Sequence, residues 1–184
     1  MFHYEHHGRS ISMKTLIIFS HSYYQQSRIN RSMLEIANLQ PDVTIRNLDG
    51  LYGTDFNEID VAEEQKLLIE HARIIFQCPV FWFNVPPMLK AYMDRVFTHG
   101  WAYGGNGHAL AGKLFQLVVS AGSSQDKYRK GGLMLEELFK PVLTSAAFVG
   151  MAVQQPMITY GCMGMTEDEL RNVCQNYKKL LQSS

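Results

Sequence analysis

Gln77-Cys78-Pro79-Val80-Phe81-Trp82-Phe83-Asn84-Val85-Pro86-Pro87-Met88-Leu89-Lys90 decides the fold of this chain. The stretch begins as the end of a buried strand and breaks into an aromatic loop. It restarts at Pro87, whose fixed φ suits the first position of a helix. A strand-to-helix junction of this kind sits at the carboxyl edge of an open α/β sheet, where such folds bind ligands. Aromatics held between prolines make a stiff, flat-walled loop suited to a planar ring. Aromatic clusters also serve as plain core, so the loop has to be weighed with its neighbours.

Upstream, Arg73 to Cys78 reads as a strand; downstream, Leu89, Tyr92, Met93, Val96 and Phe97 form the apolar stripe of a helix. Thr15 to Phe19 is a short unbroken β-rich run, as expected of a central parallel strand covered on both faces. Ser27 is a candidate N-cap for an amphipathic helix to about Leu39, and Val43 to Leu48 is a second strand. Asp60 with Glu63, and Thr166 with Glu169, have capping-box spacing for two further helices. Leu114 to Ser120 is a fourth strand, Ala121 to Gly132 a long loop, and Leu133 to about Phe148 a helix that must tolerate Pro141. Ala152 to Tyr160 is the last strand, and its Pro156 assigns it to an edge. Five strands alternating with helices predict an α/β fold, a doubly wound parallel sheet in the order 2-1-3-4-5.

The 184 residues fit one domain, expected over 13–184, with 1–12 as a polar extension whose His3, His6 and His7 are solvated. Lys+Arg and Asp+Glu both number 17, which argues against nucleic acid or an anionic membrane as a general partner. Cys78, Cys162 and Cys174 have no paired spacing, so reduced thiols are expected, with no disulfide framework and no metal site. With no membrane-length apolar run and no signal core, a cytoplasmic location is expected.

The topology brings three loops together at the carboxyl edge. The first, His21 to Asn30, enters a helix N-terminus whose free N–H groups favour an anion, and Ser27, Asn30 and His21 suit a phosphate monoester. It contains neither GxGxxG nor GxxxxGK[ST]. The second carries Phe81, Trp82 and Phe83. The third, Ser120 to Tyr128, offers small residues for close backbone approach and then a phenol. Each loop also has an ordinary structural reading; convergence is what points to a site.

Cys78-Pro-Val-Phe-Trp-Phe-Asn-Val-Pro-Pro-Met-Leu-Lys-Ala-Tyr-Met-Asp-Arg-Val-Phe97 resembles the flavodoxin-like NAD(P)H:quinone oxidoreductases of the DT-diaphorase type. Asp55-Phe56-Asn57, Ala62 to Gln65 and His99 to Gly104 are similar to the small bacterial branch that includes the ancillary flavoproteins of glutathione-gated potassium efflux. The resemblance implies FMN, or FAD, bound through His21, Ser27, Arg28, Ile29, Asn30, Val80, Phe81, Trp82, Phe83, Ala121, Gly122, Ser123 and Ser124. A missing C-terminal extension favours FMN. It implies a homodimer in which Trp101, Tyr103 and His108 of one subunit face the substrate of the other, and it matches Tyr128 to the family's site tyrosine. The histidine that follows that tyrosine in the mammalian enzymes has no match, Met134 being nearest. The implied reaction is ping-pong two-electron transfer from NAD(P)H to a quinone. The alternatives are a regulatory subunit docked on a potassium-efflux antiporter at the inner face of the membrane, and a one-electron flavodoxin carrier, which this neutral charge disfavours.

Overall fold

The computed structural model describes residues 13–183, so the expectations for residues 1–12 lie outside the described part. The sheet comprises β1 (Thr15–Phe19), β2 (Val43–Asn47), β3 (Arg73–Pro79), β4 (Leu114–Ser120) and two short pieces, β5 (Ala152–Val153) and β6 (Met157–Thr159). All pairings are parallel in the order β2-β1-β3-β4, with β5 and β6 both paired to β4. The expected order holds. The expected fifth strand is interrupted at Pro156, which lies between the two pieces because it cannot donate to a ladder.

β1 and β3 are buried along their whole length because helices cover both faces. Successive side chains alternate between those faces. Ile17, Phe19, Ile75 and Val118 pack with α1 (Arg28–Asn38) and α8 (Glu167–Gln182), through Met33, Ala37 and Tyr177. Leu16, Ile18, Phe76 and Leu117 pack with α3 (Val61–Glu70), α4 (Pro87–Val96) and α7 (Lys140–Phe148). Phe76 holds the centre of this second face, edge-on to Phe115 at 5.0 Å and to Tyr92 at 6.2 Å. Burying one such ring is worth about 1.5–3 kcal/mol.

The helix starts follow their local signals. Ser27 caps α1, and the capping box of Thr166 and Glu169 on α8 has both of its hydrogen bonds. Asp60 caps α3 by accepting from Glu63 N, which is one half of the expected box. Other expectations are corrected. Leu48, expected to end the second strand, instead starts a short α2 over Leu48–Tyr52, with Asn47 capping it. Gln125–Lys130 forms α5 inside the expected long loop. The helix expected from Leu133 is broken at Phe139 into α6 (Leu135–Leu138) and α7, which puts Pro141 in the first turn of α7, where a missing N–H costs nothing.

Two buried charges stitch the elements together. Arg73 donates to Leu180 O at 2.9 Å, Leu181 O at 2.5 Å and Ser183 O at 3.0 Å, satisfying carbonyls at the end of α8. Glu64 accepts from Arg46 and from Tyr52 Oη at 2.6 Å, and burial with this carboxylate pushes the Tyr52 phenol up to about 12.

Candidate functional site

The loops after β1, β3 and β4 meet at the carboxyl edge around a cavity of about 560 Å³. His21, Ser27, Arg28, Ile29, Val80, Phe81 and Gly122, all expected in the site, line it together.

One end is the start of α1. Ser27 Oγ accepts from Asn30 N at 3.3 Å and from Asn30 Nδ2 at 3.1 Å. Among the described residues the N–H groups of Arg28 and Ile29, in the first turn of the helix, have no acceptor. Such a pair, with the helix dipole behind it, favours an anion. No Asp or Glu lines the cavity. His21 closes the same end: its Nδ1 accepts from Tyr23 N at 3.1 Å, which leaves the ring proton on Nε2. Burial lowers the His21 pKa, while Asp49, hydrogen-bonded to the His21 backbone at 2.9 Å, pulls the other way. A neutral ring that can donate from Nε2 is the result.

Phe81 lines the cavity and opens the aromatic turn, whose Trp82 and Phe83 stand just outside the lining. Phe81 N donates to Asn84 O at 2.9 Å and Asn84 N to Phe81 O at 3.0 Å, so Trp82 and Phe83 form the centre of a two-residue turn. Both have positive φ, 46° and 63°. That geometry normally selects Asn-Gly, and a bulky residue there stores backbone strain, which recurs at ligand-binding sites. The N–H groups of Trp82 and Phe83 have no acceptor among the described residues. Trp82 is 94% exposed and Phe83 48%. The Phe81 ring turns inward, edge-on to His21 at 5.4 Å.

The third loop gives its carbonyls to the protein and keeps its N–H groups. Gly161 N donates to Ser123 O, Cys162 N to Ala121 O and Met163 N to Gly122 O, while the N–H groups of Gly122, Ser123 and Ser124 lack acceptors among the described residues. A Cβ on Gly122 would come within 3.1 Å of Met163 Cγ, so the absence of a side chain lets the two loops close together. Ala121 is buried beneath them.

Several site residues stand elsewhere. Asn30 is 1% exposed, with its carboxamide engaged by Ser27, Ser120 and Gln77, so it lies behind the site. Tyr128, on α5, stands outside the cavity, edge-on to Phe83 at 6.5 Å and to Tyr160 at 6.0 Å. Burial, with Cys162 nearby, raises its pKa, so it keeps its proton. Trp101, Tyr103 and His108 are not brought to the cavity within this chain: Tyr103 packs on Phe148 at 5.7 Å, beside α7. Their loop is preformed, with Gly100 N donating to Tyr103 O at 2.7 Å, and it closes so tightly that a Cβ on Gly107 would meet Tyr103 O at 2.8 Å.

The sequence reading missed the segment after β6. Cys162, Met163 and Met165 line the cavity, and Arg28 straps this segment down by bonding Met165 O and, at 2.9 Å, Glu167. The signal was available, because a loop leaving a parallel strand at the carboxyl edge belongs to the same crevice. A larger groove of about 860 Å³ adjoins along β6 and α8, sharing Gly122 and Met165. It carries Glu169, kept ionised by hydrogen bonds from Thr166, which makes it the poorer anion site.

The family model Flavodoxin_2, described as a flavodoxin-like fold, matches residues 13–181. An uncharacterized NAD(P)H oxidoreductase, YrkL, of Bacillus subtilis is 34% identical over 93% of this chain and 99% of its own. The glutathione-regulated potassium-efflux system ancillary protein KefF of Salmonella typhimurium is 38% identical over 90% of this chain and 94% of its own. Among solved structures, general stress protein 14 of Treponema denticola in complex with FMN superposes with a TM-score of 0.84 at 32% identity, covering 91% of this chain and 97% of its own. An NADPH-quinone reductase of P. pentosaceus gives 0.84 at 25%, covering 94% and 99%. A structure described as a thermophilic tryptophan halogenase of Streptomycin violaceusniger gives 0.86 at 36%, covering 92% and 99%.

Proposed function

The chain belongs to the Flavodoxin_2 family of flavodoxin-like proteins, and on that premise we propose that it is an FMN-dependent NAD(P)H:quinone oxidoreductase. The observation that carries the reading is an acid-free cavity with unpaired N–H groups at a helix start in its wall and on the aromatic turn that follows Phe81. The first stand beside the Ser27 hydroxyl; the second belong to Trp82 and Phe83, next to the cavity rather than in its lining. A flavin mononucleotide has this distribution of needs, a dianion at one end and a planar ring with polar edges at the other. Bound there, FMN would supply two-electron hydride chemistry between NAD(P)H and a quinone.

The chain's own residues bind, orient and exclude. Arg28 N, Ile29 N and the Ser27 hydroxyl hold the phosphate, and His21 adds its Nε2 proton. The free N–H groups of Trp82, Phe83 and Gly122 to Ser124 would meet the polar edges of the ring, where fixed donors would stabilise negative charge. Tyr128, protonated at the edge of Phe83, is the donor nearest the substrate side. The oxidoreductase reading rests on YrkL and the P. pentosaceus reductase, whereas the halogenase description belongs to one of the neighbours named above.

The reading extends to a cytoplasmic homodimer. Tyr103 and the 71% exposed Phe148 form an apolar surface beside a preformed loop, and a second copy of Trp101, Tyr103 and His108 would complete the substrate side. A second role is favoured by the KefF relatives: docking on a potassium-efflux antiporter at the membrane face. No helix among the described residues is long and apolar enough to cross a membrane. The two roles are compatible, and co-purification with the antiporter would separate them.

The test is direct. Purified protein should be yellow, bleach anaerobically with NADH or NADPH, and recover its colour with a quinone. Protein that is colourless and cannot be reconstituted with FMN would refute the reading. A yellow protein that neither nucleotide bleaches would be a one-electron carrier instead.

A further inference from the structure

A buried polar chain runs behind the phosphate end of the cavity, from the far helix to the cap of α1. Tyr177, wholly buried on α8, donates from Oη to Gln77 Oε1 at 2.5 Å. Gln77, wholly buried on β3, donates from Nε2 to Asn30 Oδ1 at 3.4 Å. Asn30 Nδ2 then donates to Ser120 Oγ at 2.9 Å and to Ser27 Oγ at 3.1 Å, and Asn30 N adds a second hydrogen bond to Ser27 Oγ at 3.3 Å.

The direction of this chain is set at its far end. Burial raises the Tyr177 phenol far above its ordinary range, so Oη keeps its proton, and Gln77 Oε1 is the one acceptor it reaches among the described residues. Each amide downstream is then oriented in turn, oxygen toward Tyr177 and nitrogen toward the site. At Ser27 the consequence is chemical. Its hydroxyl oxygen has two lone pairs, and both are occupied by Asn30. All that remains is its own proton, on a residue that lines the cavity. Ser27 can only donate there.

We propose that Tyr177, Gln77 and Asn30 are positioning residues that lock Ser27 as a hydrogen-bond donor, so that this end of the cavity selects a phosphate monoester and hence FMN over an unphosphorylated flavin. The inference rests on the flavin reading above and assigns a role to residues that do not touch the ligand.

The experiment compares FMN with riboflavin, which has the same ring and no phosphate, by quenching of flavin fluorescence on the apo protein. Asn30→Asp puts an acceptor where the amide donated, draws the Ser27 proton inward and sets a charge behind the phosphate. FMN affinity should fall about tenfold or more while riboflavin affinity moves less than about twofold. Tyr177→Phe removes the first donor without changing shape, and should weaken FMN alone by about two- to fivefold. Thermal melting of each apo variant reports folding, so Tyr177→Phe carries the test if Asn30→Asp is lost.

Parallel losses for both flavins, unchanged FMN affinity, or failure of both variants to fold would reduce the network to a structural role and overturn the proposal. A wild-type protein that binds neither flavin would instead overturn the parent reading. One that binds FMN while the variants bind it equally well overturns this inference alone.

Discussion

The two ends of the cavity are built in opposite ways. At the helix start the side chains are hydrogen-bonded through four elements, α1, β3, β4 and α8, and the free donors are those a helix start leaves open. At the ring end two large aromatics sit at positive φ, and Trp82 is almost fully exposed. The first is relaxed and pre-organised. The second is strained and unfinished. The difference matches what each end has to do: a phosphate anchor is permanent and can be completed by the fold, whereas the ring must stay open on one face for substrates to come and go. Strain at the turn is the cost of holding two aromatics at positive φ, where an Asn-Gly turn would supply no aromatic wall.

The sharpest way to break the comparison is at Ser27. Ser27→Ala removes the cap of α1 and the donor to the phosphate together. FMN affinity should drop by about ten- to a hundredfold, since a hydrogen bond to a charged group is worth about 1.5–3 kcal/mol. Apo stability should fall by only about 1 kcal/mol, the usual worth of a cap. Fluorescence titration and urea unfolding of the same preparation give the two numbers. Equal losses in both would mean that the end is merely a capped helix.

At the ring end the expected signature is reversed, with stability responding more than the anchor does. Phe83→Val places a β-branched residue at φ 63° and should destabilise the apo protein by about 1–2 kcal/mol. Phe83→Gly deletes more side chain yet should cost less, because glycine takes that conformation without strain. Urea midpoints decide. If Gly proves worse than Val, the turn is held by side-chain packing and the strain argument fails.

This asymmetry also explains what could be read before the structure. β1 and β3 were legible because strands buried on both faces carry short β-rich apolar runs, Leu16–Phe19 and Ile74–Phe76, and Pro156 placed the last strand at an edge. The caps at Ser27 and Thr166 were legible because capping is local chemistry. The short α2 and α5, and the break at Phe139, were missed because pieces of four to six residues carry too little periodicity to outvote tertiary packing. Asn30 had the right type and the right place, but the direction of a side chain depends on Gln77 and Ser120, which are far away in sequence. Residues 162–165 were legible in principle, as the exit of a parallel strand, and were passed over because nothing in Cys-Met-Gly-Met announces a ligand.

A smaller effect is expected at Tyr128, which lies beyond the ring end rather than in it. If its phenol serves the substrate side, Tyr128→Phe should lower kcat by about threefold to tenfold, the worth of one neutral hydrogen bond, and leave FMN affinity unchanged. The raised pKa means the phenol stays protonated, so the wild-type rate should show no break near neutral pH from this group. A loss of FMN affinity in Tyr128→Phe would move the residue from the substrate side to the cofactor wall.

The smallest expected effect tests the closure of the phosphate end. Burial holds the His21 pKa below its ordinary value of 6.5, so the folded apo protein takes up a proton on this ring less readily than the unfolded chain does. With a lowered folded pKa, the contribution to stability is complete above pH 6.5 and is lost as pH falls through the folded value. Apo melting temperature should therefore decline over that window in the wild type and more gently in His21→Asn. FMN should alter the slope in a definite sense: a phosphate dianion beside the ring favours the protonated form, raises the folded pKa and flattens the decline. An identical slope with and without FMN would place the phosphate away from His21, and the helix start alone would then have to hold it.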